Sequence, residues 1–183
     1  ENAAERKRSG DLEGSLHELN IALSISPDSG SALVRRGTIY AELDDGVAAM
    51  KDFERALELD SNNVVAHIGR GILRRKMEDF TGALADMNRA VEIAPNLPEA
   101  YLERGKTQAV SGRTTIAIED FTRCIGMNPG LSQAYLWRAY CYLAERDQER
   151  AARDLRHVRD YSRDPLLIER ATDLLAKIYL SNP

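Results

Sequence analysis

Four arginines and four aspartates recur along the chain at one common spacing. Successive arginines are equally spaced, successive aspartates keep the same spacing, and each aspartate follows an arginine at one constant interval. A planar guanidinium can donate two parallel hydrogen bonds to a carboxylate, so this spacing predicts a ladder of ion pairs between neighbouring helices. We expect the ladder to be structural rather than ligand-binding. Its members are Arg36, Arg70, Arg104, Arg138, Asp52, Asp86, Asp120 and Asp154.

The residues that most often perform catalysis or bind metals are scattered. His17, His67 and His157 stand at unrelated positions, and Cys124 and Cys141 lack the close spacing of a zinc site. No set of nucleophile, histidine and acid, no carboxylate pair in a cleft and no glycine-rich phosphate loop can be assembled. We therefore expect no catalytic residue, no metal ligand and no cofactor, and a protein that is not an enzyme.

The residues predicted to form the core recur with the same spacing as the arginines. Gly37, Gly71 and Gly105 keep this step, and Ala139 stands at the next one. A bulky set and an alanine set repeat in the same register, which indicates a repeat architecture. The two sets are Leu19, Phe53, Met87, Phe121 and Leu155, and Ala49, Ala83, Ala117 and Ala151.

Each repeat is predicted to contain two helices. In residues 98–129, Pro98 suits a first helical turn, Gly112 marks a turn and Pro129 ends the second helix. Apolar residues recur every three or four positions on both sides of Gly112, which is the periodicity of a helix face. One such hairpin cannot bury both of its apolar stripes, so neighbouring hairpins must stack.

This pattern resembles the tetratricopeptide repeat (TPR) family, whose signature combines small, aromatic and proline positions. The matching residues are Leu33, Gly37, Tyr40, Ala49, Phe53 and Ala56 in one repeat, and Tyr101, Gly105, Ala117, Phe121 and Pro129 in another. The resemblance implies an all-α fold, a right-handed α-solenoid of about five 34-residue helix-turn-helix repeats with a C-terminal capping helix. The expected divisions are 1–29 (a partial repeat), 30–63, 64–97, 98–131 and 132–163, with the capping helix and tail at 164–183.

In this family, partners bind in a concave groove that is lined by the first helices. The matching repeat positions in this sequence are therefore expected to line such a groove. They form a set of first-helix residues that is unusually apolar. The predicted partner-binding residues are Val34, Arg35, Val65, Ile68, Ile72, Arg75, Lys76, Leu102, Glu103, Lys106, Gln133, Leu136, Trp137 and Tyr140.

Two features of this set bear on the partner. Gly69 leaves a gap among Val65, Ile68 and Ile72, and Trp137 belongs to an aromatic patch that either binds a partner or is covered by the capping helix. Family members that bind chaperone tails use a lysine and asparagine clamp, and members that hold extended peptides use groove asparagines. The four complete first helices here contain no asparagine. The set therefore favours an amphipathic helix or another apolar segment of a protein partner.

Composition limits the functional classes. The 183 residues are 43% apolar and 30% charged, and the net charge of −4 argues against nucleic-acid binding. No apolar run approaches the roughly 18 residues of a membrane span. The sequence begins with glutamate rather than methionine, so we expect a fragment of a longer intracellular, cytoplasmic protein whose targeting signals could lie in flanking segments.

The predicted function is a protein-interaction scaffold or adaptor within a larger protein or assembly. Two alternatives stay open at this point. One is a chaperone or cochaperone module, and the other is the regulatory or substrate-recruiting domain of an enzyme whose catalytic domain is absent.

Overall fold

The computed structural model describes residues 3–181 of the chain, and the side chains of residues 11–180. Residues 3–181 form ten α-helices and no strand. The helices are α1 (Ala3–Ile25), α2 (Gly30–Glu42), α3 (Gly46–Leu59), α4 (Val64–Lys76), α5 (Phe80–Ile93), α6 (Pro98–Val110), α7 (Thr114–Met127), α8 (Ser132–Ala144), α9 (Gln148–Tyr161) and α10 (Pro165–Ser181). The all-α class predicted from the repeat is therefore confirmed.

Two compact units make up the chain, Glu1–Ile93 and Ala94–Pro183. In the first unit, α2 pairs with α3 and α4 pairs with α5, while α1 packs on α2, and α4 packs on both α2 and α3. In the second unit, α6 pairs with α7 and α8 pairs with α9, and α8 also contacts α6 and α7. Each unit is thus a stack of helical hairpins, and α1 packs on α2 in the place of a second helix.

The turn within each hairpin adopts one backbone conformation at one register position. Asp44, Glu78, Gly112 and Arg146 have φ angles of 59°, 61°, 81° and 60°. This left-handed conformation costs a residue with a Cβ atom about 1 kcal/mol, and only Gly112 avoids the cost. The turn geometry is therefore imposed by the packing of the two helices, because three of the four turns keep it without a glycine.

A small residue on the first helix and a bulky residue on the second define the core of each hairpin. A Cβ atom added to Gly37 would stand 3.1 Å from Phe53, and one added to Gly105 would stand 2.7 Å from Phe121. The two helices therefore touch where the first has no side chain. The second-helix residues of the predicted sets are at most 1% exposed: Ala49, Ala83, Ala117, Ala151, Phe53, Met87, Phe121 and Leu155.

The last helix covers the end of the second unit. In α10, Ala171, Leu175 and Ile178 are buried in one cluster with residues of α8 and α9. Asp164 caps this helix by accepting a hydrogen bond from the backbone N–H of Leu166 at 2.9 Å. The helix therefore has the position expected of a capping helix. No helix within residues 3–181 combines the length and the apolar character that a membrane span requires.

Each arginine of the repeated set is joined to the aspartate that follows it on the second helix of the same hairpin. Its Nε and Nη2 atoms donate to the two carboxylate oxygens, at distances between 2.6 and 3.0 Å. Arg36 also donates to Asn20 at 2.8 Å, and Arg138 donates to Thr122 at 2.9 Å, so these two arginines bridge three helices. The hydrogen bond to Asp120 is the main reason that the pKa of Arg104 lies above its ordinary value.

Asp86 collects more donors than its counterparts. Besides Arg70, it accepts a hydrogen bond from Arg74 Nη1 at 2.8 Å, and His67 Nδ1 lies 3.1 Å away. The other ring nitrogen of His67 lies 3.0 Å from the carbonyl oxygen of Ser61. Tyr101, at the same register position in the next repeat, uses its hydroxyl group in the same way on a turn carbonyl. These two buried polar side chains therefore fasten the first helix to the preceding turn.

Replacing Arg104 by Met tests whether the ion pairs are structural. The variant deprives Asp120, whose side chain is 6% exposed, of the two hydrogen bonds that Arg104 donates. We expect the free energy of unfolding to fall by about 3 kcal/mol. Urea unfolding followed by circular dichroism measures this change.

The matched control is Arg153→Met, which removes an arginine whose side chain is 71% exposed and whose ion pair with Glu149 lies at the surface. Its unfolding free energy should stay within about 0.5 kcal/mol of the wild type. Equal effects of the two substitutions would contradict a structural role for Arg104.

The two cysteines are free, buried thiols in the second unit. Burial raises the pKa of both Cys124 and Cys141 from 9.0 to about 11. The folded state therefore keeps the thiol proton at a pH where the unfolded chain has lost it. Stability that depends on these protons is complete below pH 9.0 and is lost as the pH rises toward about 11.

We expect the unfolding free energy of the wild type to fall more steeply between about pH 8 and about pH 10.5 than that of the Cys124→Ala/Cys141→Ala variant. Lysine and tyrosine titrations are common to both proteins, so the difference in slope reports the thiols. Denaturant unfolding at the two pH values measures it, and identical slopes would show that the native thiols titrate normally.

Candidate functional site

A pocket between α2 and α4 is lined by four of the predicted partner-binding residues of the first unit: Val65, Ile68, Ile72 and Lys76. The pocket has a volume of about 330 Å³. Carbon atoms form most of its wall, and the ring of Phe53 from α3 contributes to it. The lining residues are Thr38, Ala41, Glu42, Phe53, Val65, Ile68, Gly69, Ile72, Leu73 and Lys76.

Gly69 is the residue that opens this pocket. A Cβ atom at this position would overlap Cζ of Phe53, so any side chain here would collide with the ring. The same register position holds Arg35, Glu103 and Trp137 in the other complete repeats. The close approach of α4 to Phe53 therefore depends on glycine, and the missing side chain leaves apolar surface uncovered.

A second pocket of about 600 Å³ adjoins the first and is bounded by α1, α2 and α4. Thr38 and Val65 line both pockets, so the two pockets are neighbours, and together they are called here the α2–α4 groove. Val65 is 57% exposed at this junction, which makes it the most accessible large apolar residue of the groove. The second pocket is lined by Ser15, Glu18, Leu19, Ala22, Val34, Arg35, Thr38, Ile39 and Val65.

The predicted residues of the second unit have a different character. Lys106 Nζ donates to Glu103 at 2.7 Å and to Gln133 at 3.1 Å, which joins three of them in a polar network. Trp137 and Tyr140 are half-buried and meet edge to face, with their ring centroids 5.8 Å apart. Tyr140 also packs against the cluster that contains α10. This part of the set is thus engaged in contacts within its own unit.

Three predicted residues are not available to a partner in the way the repeat register suggests. Leu136 is 2% exposed and lies in the cluster with α9 and α10, so it is covered within its own unit. Leu102 is 5% exposed and Val34 is 8% exposed. The register identifies the side of a helix, but neighbouring elements decide how much of that side stays open.

The repeat register did not predict the residues that α1 and α3 contribute to the α2–α4 groove. Ser15, Glu18 and Leu19 come from α1, and Phe53 comes from α3. The family pattern assigns the groove to first helices alone, while α1 stands where a second helix would. The signal was present in the sequence, since Leu19 belongs to the bulky set that marks the second helix of each repeat.

The part of the chain that the structure describes holds no cluster of metal-binding side chains. No three histidine, cysteine, aspartate or glutamate side chains of that part converge as metal ligands. The groove is an apolar depression with a few charged residues beside it.

Similarity to known proteins agrees with this architecture. Family models described as tetratricopeptide repeat match residues 102–165 and residues 30–63. A comparison with curated proteins gives no match. Among solved structures, a thermophilic TPR protein of Thermus thermophilus is similar with a TM-score of 0.78 and 15% identity, over 94% of this chain and 95% of that chain.

Two other solved structures show the same fold. PilF of Pseudomonas aeruginosa is similar with a TM-score of 0.78 and 18% identity, over 97% of this chain and 86% of its own. YrrB, described as a TPR protein with an unusual peptide-binding site, is similar with a TM-score of 0.70 and 25% identity, over 91% of this chain and 86% of its own. The repeat register, the stacked hairpins and these similarities lead to one conclusion: the chain belongs to the tetratricopeptide repeat family.

Proposed function

We propose that this chain is a non-catalytic scaffold module that binds an amphipathic helix of a protein partner in the α2–α4 groove. The observation that carries the proposal is the apolar pocket that Gly69 opens above Phe53. Its volume of about 330 Å³ lies at the lower end of the range for binding pockets, which suits one or two side chains better than a whole cofactor.

The polar groups of the groove favour a helical partner. An extended segment would bring unpaired backbone N–H and C=O groups against the apolar wall, where each lost hydrogen bond is costly. The groove lining contains no asparagine or glutamine that could pair with them. A helix satisfies its own backbone and presents only side chains, so it can place an apolar face on Val65, Ile68 and Ile72.

Other roles have less support. A clamp for a terminal carboxylate needs several available cations, but Lys76 lies 3.3 Å from the carboxylate of Asp44, which leaves Arg35 as a single unpaired cation among the described residues of the groove lining. The free cysteines fit a reducing compartment, so the proposal places the module inside a cell as part of a larger assembly. The similarity of YrrB supports protein recognition as the general activity. The α2–α4 groove of this chain supports the more specific proposal that the partner binds as a helix.

Replacing Val65 by Glu tests the groove directly. Val65 is largely exposed in the first turn of α4, so the fold tolerates the change, but the carboxylate would stand where an apolar partner residue must pack. For a helical peptide selected by display against the wild-type chain, we expect the dissociation constant to rise at least tenfold, as is common at the centre of an interface. Fluorescence anisotropy measures this change.

The matched control is Val47→Glu. Val47 is the second residue of α3, is 85% exposed and lies outside the groove lining. It should leave the affinity within about twofold of the wild type, and so should Trp137→Ala, which alters the second unit. A loss of binding with Trp137→Ala but not with Val65→Glu would place the site in the second unit and refute the proposal.

A further inference from the structure

The charged residues that line the α2–α4 groove fall into two classes. Lys76 is paired with Asp44, and Glu42 also has an interaction within the chain. Glu18 and Arg35 are both exposed, and neither forms an ion pair or a side-chain hydrogen bond with the residues whose side chains are described. Two charges of opposite sign therefore line the same pocket without neutralising each other.

The positions of these two charges follow the order of the helices. Glu18 belongs to α1, Arg35 to α2, and the pocket at Gly69 lies between α2 and α4. Because α2 packs on both α1 and α4, a molecule that crosses the groove meets the carboxylate first, the guanidinium next and the apolar pocket last. Packed helices lie about 8–10 Å apart, which corresponds to about two turns along a bound helix.

We infer that the groove selects a partner helix by a fixed order of side chains: a basic residue facing Glu18, an acidic residue facing Arg35 and a large apolar residue in the pocket at Gly69. This inference rests on the proposed function and specifies the chemistry of its partner. The apolar residue supplies most of the affinity, because it leaves water on entering the pocket.

The two ion pairs set the register and direction of the helix. Exposed charges contribute little to affinity, but a like charge placed opposite either of them is repelled, and this repulsion excludes the shifted and reversed arrangements. A helix bound in the opposite direction would bring its basic residue to Arg35 or move its large apolar residue away from the pocket. The charges therefore act on specificity, and the pocket acts on affinity.

The test is a displayed library of helical peptides of about 18 residues, long enough to cross the three helices. Apolar-face positions vary among Ala, Leu and Phe, and polar-face positions vary among Glu, Lys and Gln. The full chain is used as bait in five forms: the wild type, Arg35→Glu, Glu18→Lys, Val65→Glu and the control Arg153→Glu, which reverses an exposed arginine of α9.

We expect the wild type and the control to enrich the same peptides, in which one basic, one acidic and one large apolar position keep a constant order. Arg35→Glu should enrich a basic residue where the wild type selects an acid, and Glu18→Lys should enrich an acid where it selects a base. For a single selected peptide, reversing the acid should weaken wild-type binding about fivefold, and Arg35→Glu should restore it.

The outcomes separate this inference from the proposed function. If Val65→Glu enriches the same peptides as the wild type, binding occurs elsewhere and the proposed function fails. If Val65→Glu loses those peptides while both charge variants still select them unchanged, the groove binds a helix but its charges do not order the partner, and the inference is overturned. Wild-type peptides with charges in no constant order would overturn it equally.

Discussion

One contact underlies every hairpin, the approach of a small residue on the first helix to a bulky side chain on the second. At Gly37, Gly71 and Gly105, an added Cβ atom would come within 3.1 Å of the opposing ring or thioether. This contact sets the distance between the two helices, and the distance in turn determines whether an arginine on the first helix can reach its aspartate on the second. The ion pairs are thus a consequence of close packing as much as a cause of stability.

The same contact produces the candidate site. Phe53 touches Gly37 of its own hairpin and Gly69 of the next one, so its ring lies beneath two glycines. Phe53 is 1% exposed, so Gly69 leaves the ring as part of the pocket wall and not open to bulk water. The pocket therefore arises from a packing requirement, because the residue that lets α4 approach is also the residue that leaves a space. The proposed affinity for an apolar side chain rests on this geometry.

The polar residues divide according to their surroundings. Asp52, Asp86, Asp120 and Asp154 are buried, so each must be paired, and each accepts two hydrogen bonds from its arginine. Glu18 and Arg35 are exposed to water and can remain unpaired at little cost. Burial thus separates charges that serve the fold from charges that are free to meet a partner, although both kinds are arginines and acids in the sequence.

The sequence alone determined the helices, the hairpins and the two residue types of the ion-pair ladder, because these depend on a local spacing that recurs unchanged from one hairpin to the next. It also located the gap at Gly69, since a missing side chain is visible in the register. The structure decided that each arginine pairs with the aspartate of its own hairpin. The tertiary structure alone decided that Leu136 is buried beneath α10, that α1 lines the groove and that Phe53 contributes to the pocket. The physical reason is that accessibility depends on which elements pack against a helix face, and those elements lie far along the chain from the face they cover.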